Sequence, residues 1–101
     1  MSEFIKVAAR SEIPENHAIA VEARGKRIAL FNADGVFYAI ENSCLHMGVA
    51  LSAGKLCGTR VVCPLHGWEY DITTGTNVDD PRMRVASFAV KIDGDNIFIE
   101  I

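Results

Sequence analysis

The hydrophobic and polar positions of this chain repeat in short runs of period two, and helical periodicity is hard to find. "FIKVAA" (4–9), "AIAVEA" (18–23) and "RIALFN" (27–32) read as strands. "SEIPENH" (11–17) holds Pro14 among polar residues and reads as a turn or a short helical turn. Gly25 marks a second turn. Asp34-Gly35 lies between "IALF" and "VFYAI" and predicts a tight hairpin. Near the C-terminus, strands at 85–92 and 97–101 flank "DGDN" (93–96). Phe88, Val90 and Ile92 alternate on one face there, with Ile97, Ile99 and Ile101 opposite them.

Strands at short spacing joined by turns predict an all-β fold, an antiparallel β sandwich or small barrel. The span 42–82 breaks the pattern. It is rich in glycine, with brief strands predicted only at 60–63 and 68–72. It reads as two loops inserted on a small sheet. The expectation is one domain over 1–101, with a smaller two-loop subdomain at about 42–76.

Composition narrows the class. Half of the 101 residues are hydrophobic, and the net charge is −3. That is the profile of a globular domain. Lysines and arginines are scattered, with no basic cluster interleaved with aromatics, so nucleic acid is not an expected partner. "MSEFIKVAAR" lacks the layout of a signal peptide, and no apolar run approaches a membrane span of about 20 residues. A cytoplasmic, monomeric protein is expected. Three cysteines is an odd number, so ligand or free-thiol roles are expected rather than a disulfide framework.

All three cysteines and two of the three histidines fall within residues 44–71. Cys44-x-His46 is followed, sixteen residues later, by Cys63-x-x-His66. Each half pairs a thiol with an imidazole, and each has a glycine just after the histidine, Gly48 and Gly67. Two thiolates and two imidazoles suit tetrahedral zinc or an iron–sulfur cluster.

"C-x-H … C-x-x-H-G" followed by "YDITTG" resembles the Rieske iron–sulfur motif. The connecting "LSAGKLCGTRVVCPLHG" resembles the corresponding segment of Rieske ferredoxins, and the closing "VKIDGDNIFIEI" extends the likeness toward the whole domain. The resemblance implies a Rieske-like fold and one [2Fe–2S] cluster. Cys44 and Cys63 would bind one iron, His46 and His66 the other. Neutral imidazoles in place of two thiolates leave the cluster less negative and easier to reduce. Their outer nitrogens face solvent or a partner.

Several positions depart from the respiratory members of that family. Val49 and Leu65 stand where those proteins carry a disulfide, and Trp68 stands where they place a serine that donates to the cluster. Tyr70 matches their tyrosine, whose hydroxyl reaches a cysteine sulfur; here the partner would be Cys44. With one donor missing, the potential is expected in the lower part of the roughly −150 to +300 mV Rieske range. "DDPRM" (79–83) resembles the proline loop that covers the cluster, with Pro81 as a stiff lid. Leu45 and Met47 either shield the cluster, form an apolar docking surface or fill the core of the loop. Cys57 is expected as a free, partly buried thiol, and His17 as a solvent-facing residue at a strand start. Asp79 and Asp80 read as solvated loop residues that can also help dock a basic partner.

The leading function is a one-electron carrier with no catalytic residue of its own. By resemblance it passes electrons from a flavin-dependent ferredoxin reductase to a terminal oxygenase. No glycine-rich nucleotide fingerprint indicates a flavin or nicotinamide site. Two other readings stand beside it: the small Rieske-like subunit of an assimilatory nitrite reductase, and a zinc-binding structural module. Zinc fingers usually run Cys-Cys then His-His, which this spacing does not.

Overall fold

The computed structural model describes residues 3–45, 48–65 and 67–101. Ten strands follow in order: β1 (Phe4–Ala9), β2 (His17–Ala23), β3 (Lys26–Ala33), β4 (Val36–Glu41), β5 (Lys55–Cys57), β6 (Arg60–Val62), β7 (Glu69–Asp71), β8 (Ser87–Phe88), β9 (Val90–Asp93) and β10 (Asn96–Glu100). Short 3-10 turns occupy Arg10–Glu12 and Leu51–Ala53. The all-β expectation is met.

The strands form three antiparallel sheets ordered β1-β10-β9, β2-β3-β4-β8 and β5-β6-β7. The hairpin turns are those that the sequence predicts. Asp34 and Gly35 adopt φ 53° and 89°, and Arg24 and Gly25 adopt 51° and 76°. Consecutive left-handed residues make the tight turn whose twist suits paired strands. Asn32 secures the first turn: its amide donates to the Ile13 carbonyl at 2.8 Å and its oxygen accepts Gly35 N–H at 2.8 Å.

The β2-β3-β4-β8 sheet is apolar on both faces. Ile28 and Leu30 of β3, with Phe37 and Ala39 of β4, join Ala8, Ile13, Ile97 and Ile99 in one core cluster. The alternate residues Ala29, Phe31, Ala33 and Ile40 join Leu51, Val61, Tyr70, Ile72, Val85 and both Cys44 and Cys63 in the other. The sheet is thus a shared wall, with one cluster backing β1-β10-β9 and the other backing the two cysteines.

One predicted strand is broken. Residues 85–92 do not run as a single strand: β8 pairs with β4, and β9 pairs with β10. The chain changes sheet at Ala89, because Phe88 and Val90 must both reach the cluster between two sheets. Ile92, expected on the inner face, is 39% exposed at the edge. The inserted span also carries one strand more than predicted, β5, opposite β6.

Gly75 is locked by its surroundings. It has φ +83°, and an added Cβ would stand 2.3 Å from the Val85 carbonyl oxygen, which is backbone. Gly94 also has positive φ, +62°, but meets open space. Gly94→Ala is expected to lose about 1 kcal/mol from the conformational penalty alone, and Gly75→Ala more than about 2 kcal/mol. Urea titration of the two variants side by side checks this; equal losses would remove the packing account.

Candidate metal centre

Two loops of matching construction carry the candidate ligands. In the first, Cys44 N–H donates to the Val49 carbonyl at 2.8 Å; in the second, Cys63 N–H donates to the Trp68 carbonyl at 2.6 Å. Each bond spans five residues, and each loop has a glycine in the fourth place after its cysteine. Gly48 has φ 68° and Gly67 has φ 70°, a conformation that costs side-chain-bearing residues energy. The shared glycine in the sequence thus marks a shared fold of the loop.

Both cysteine side chains turn inward. Cys44 and Cys63 are buried and unbridged, and both belong to one core cluster. Burial pushes the Cys63 thiol above its ordinary pKa, and contact with Cys44 pushes it further. Burial thus disfavours the Cys63 thiolate, and a soft metal ion that accepts thiolates would reverse that.

Tyr70, on β7, reaches the first loop. Its hydroxyl lies 3.5 Å from the Cys44 Sγ and accepts Leu45 N–H at 3.1 Å. The ring is fully buried among the residues around the cysteines. Burial, followed by the Cys44 contact, raises its phenol to about 12, so the hydroxyl keeps its proton at neutral pH. The expected Tyr70–Cys44 contact is present.

The other sequence expectations divide. His46, Met47 and His66 lie outside the described residues. With both imidazoles outside, the described residues contain no group of three or more metal-ligating side chains. Val49 and Leu65, in the places of the family disulfide, both pack on the core around the cysteines. Leu45 is 47% exposed and therefore not part of the loop core. Cys57 was expected partly buried and is instead exposed, at the turn end of the β5–β6 hairpin. His17 opens β2 and is exposed, its Nδ1 2.8 Å from the Glu15 carbonyl oxygen. Pro81 is exposed, in a loop that reaches the second ligand loop: Trp68, Asn77, Asp79, Asp80 and Met83 line one surface cavity of about 200 Å³. Arg82 grips Asp80 through both carboxylate oxygens at 3.0 Å and holds that carboxyl below its usual range. Asp79 is exposed.

Asn77 is the residue that the sequence reading missed. It is 5% exposed, it forms a bridge with Tyr70, and its side-chain oxygen accepts Asp79 N–H at 2.9 Å and Asp80 N–H at 3.1 Å. An asparagine in "TNVDD" carries only a turn signal, so nothing in the sequence separates it from an ordinary loop residue.

The donor chemistry suits an iron–sulfur cluster. Two adjacent thiols can bind one iron, and the buried hydroxyl beside them can donate to thiolate sulfur. Residues 3–89 match the family model of the Rieske [2Fe-2S] domain. The chain is 34% identical over 100 residues to the ferredoxin component of a naphthalene 1,2-dioxygenase system from Pseudomonas aeruginosa, covering 98% of this chain and 96% of that one. It is 31% identical over 103 residues to the ferredoxin component of a 2,4-dinitrotoluene dioxygenase system from Burkholderia, covering 100% and 99%. Among solved structures, it superposes with TM-score 0.86 and 28% identity on a chain in a complex of reduced oxygenase and oxidised ferredoxin in carbazole 1,9a-dioxygenase, over 95% of this chain and 91% of that one. A nitrite reductase small subunit from Mycobacterium tuberculosis superposes with TM-score 0.92 over 100% and 96%, at 21% identity, a likeness of fold alone.

The burial pattern predicts how the thiols react. In the folded protein a disulfide reagent should modify Cys57 quickly and leave Cys44 and Cys63 untouched until denaturant is added. Three thiols reacting at one rate before unfolding would contradict the placement.

Proposed function

The chain belongs to the Rieske [2Fe-2S] family, and from that premise we propose that it is the electron-carrying ferredoxin of a dioxygenase system. Cys44 and Cys63 bind one iron of the cluster, His46 and His66 the other. When bound, the cluster supplies a one-electron couple. The chain's own residues do the rest. Two loops of one construction fix the thiol positions. The apolar cluster behind them excludes water, and the Tyr70 hydroxyl gives its hydrogen to the Cys44 sulfur.

Electrons arrive from a flavin-dependent reductase and leave to a terminal oxygenase, and the chain itself performs no catalysis. Its similarity to ferredoxin components of dioxygenase systems supports this, as does its likeness to the ferredoxin–oxygenase complex. Residues 1–101 work as one unit, since both core clusters draw on the β2-β3-β4-β8 sheet. The unbridged cysteines fit a reducing cytoplasm. Among the described residues no helix is long and apolar enough to cross a membrane. The observation that carries the reading is the pair of buried, unbridged thiols held side by side by loops of the same register.

Anaerobically purified protein is expected to contain two irons and two acid-labile sulfides per chain and to give a Rieske-type electron paramagnetic resonance signal when reduced. Cys44→Ser, Cys63→Ser, His46→Ala and His66→Ala should each abolish it. One zinc per chain and no sulfide would overturn the assignment.

The potential is expected in the lower part of the roughly −150 to +300 mV range, because Trp68 offers no hydroxyl at the place of the second donor. Tyr70→Phe removes the donor that is present. A hydrogen bond of about 1 kcal/mol corresponds to a fall of about 40 mV at 59 mV per tenfold. Protein-film voltammetry reads both values, and an unchanged potential in Tyr70→Phe would refute a role for the hydroxyl.

A further inference from the structure

The two ligand loops share an inner closure and differ in what lies outside it. In the second loop the Cys63–Trp68 backbone bond is followed at once by strand pairing, with Val62 opposite Glu69 in the β6–β7 ladder. In the first loop the Cys44–Val49 backbone bond has no ladder outside it among the described residues. β4 ends at Glu41, and the chain leaves the loop as the 3-10 turn Leu51–Ala53. A side chain takes the place of the ladder. Asn42 Oδ1 accepts Ser52 N–H at 2.8 Å and so joins the residue that enters the loop to one that leaves it.

Position suits Asn42 to this work. Its backbone N–H donates to the Arg27 carbonyl of β3 at 3.0 Å, which ties it to the central sheet. It is 1% exposed, so water does not substitute for its oxygen. Ser52 lies in the first turn of the 3-10 segment, where a backbone N–H has no partner within the segment and a side-chain oxygen ordinarily caps it. The segment's own cap position, Ala50, supplies no side-chain bond. Leu51, next to Ser52, is fully buried in the cluster that holds both cysteines.

We infer that Asn42 is a positioning residue: it clasps the base of the first ligand loop to β3 and so holds Cys44 where an iron can be bound. Tyr70 fastens the same loop beyond the cysteine, through Leu45 N–H at 3.1 Å. The first loop opens when side-chain bonds yield, whereas the second opens by parting β6 from β7. The first loop is therefore the arm from which the cluster is lost. This inference rests on Cys44 being a cluster ligand.

The test reads the two loops separately on cluster-loaded protein. Asn42→Leu removes the acceptor at similar size, and Asn42→Asp keeps an oxygen for Ser52 N–H. Ile28→Val, on the opposite face of β3, controls for a general loss of stability. Amide exchange is followed by mass spectrometry on peptides covering 48–54 and 60–65, beside the rate of anaerobic cluster loss to a chelator and the reduced-state resonance. Asn42→Leu is expected to speed exchange at 48–54, and cluster loss, by about fivefold to thirtyfold, the usual effect of a lost cap. Exchange at 60–65 should stay within about twofold, and the resonance should broaden as Cys44 is no longer held in one geometry. Asn42→Asp and Ile28→Val should both keep cluster loss and exchange at 48–54 within about twofold of the unsubstituted protein. Equal acceleration in both peptides, or cluster loss in Ile28→Val as fast as in Asn42→Leu, would make the role one of general stability and overturn the inference. Asn42→Asp behaving as Asn42→Leu would also overturn it, since packing and not the acceptor oxygen would then hold the loop. Should Asn42→Leu take up no iron and sulfide, the unsubstituted protein decides: stronger protection at 48–54 than at 60–65 would overturn the inference. Failure of the underlying reading looks different: the unsubstituted protein would lack acid-labile sulfide and the reduced-state resonance, while amide exchange would still report the clasp.

Discussion

Two thiols side by side in an apolar interior, with no bond between them, are the constraint on which this structure depends. Burial opposes ionisation of Cys63, and the neighbouring Cys44 opposes it further. Such a pair is tolerable as neutral thiols and favourable as thiolates only against a soft cation. Metal uptake therefore releases protons, and its free energy becomes part of the free energy of the folded site. The respiratory Rieske proteins that this chain resembles link their loops with a disulfide. Here Val49 and Leu65 press both loops onto one core instead, and the Tyr70 hydroxyl bridges from β7 to the first loop. The loops are held by packing and a hydrogen bond, without a covalent tie between them.

That arrangement depends on a sheet with two apolar faces. In β3 every residue from Ile28 to Ala33 is buried, and the apolar ones alternate between the two clusters, with Asn32 the buried polar exception. One side anchors the β1-β10-β9 sheet, and the other supports the cysteines. A large-to-small change on the second face, such as at Phe31, would open space beneath the ligand loops, whereas one at Ile28 would loosen the opposite sheet. The two faces separate stability of the scaffold from precision of the site, though both belong to one strand.

Much of this is legible in the chain. Asp34-Gly35 and Gly25 announce their turns because only left-handed backbone closes them. The Cys/His pairs with their glycines announce matched loops, since a chain doubling back within five residues needs a left-handed residue. What is not legible is what depends on the third dimension. Nothing in "VASFAVKID" says that the strand changes sheets at Ala89, because its alternation is the same on either side of the break. Cys57 reads as a free, partly buried thiol, yet it is exposed at the end of the β5–β6 hairpin. Asn77 reads as a turn former. Its importance arises from a neighbour seven positions earlier that a β-bridge brings beside it.

An electron carrier must also let go of its partners, and the surface around the ligands fits that need. The residue after each cysteine, Leu45 and Pro64, is exposed, so the chain passes from deep burial to open surface in one step. Transient electron-transfer encounters occupy the small end of interface sizes. A few exposed apolar side chains give contact area there without the fixed charge pairs that slow release. The ion pair of Arg82 with Asp80 is made within the chain, and Asp79 beside it is exposed. Such a surface favours brief apolar contact.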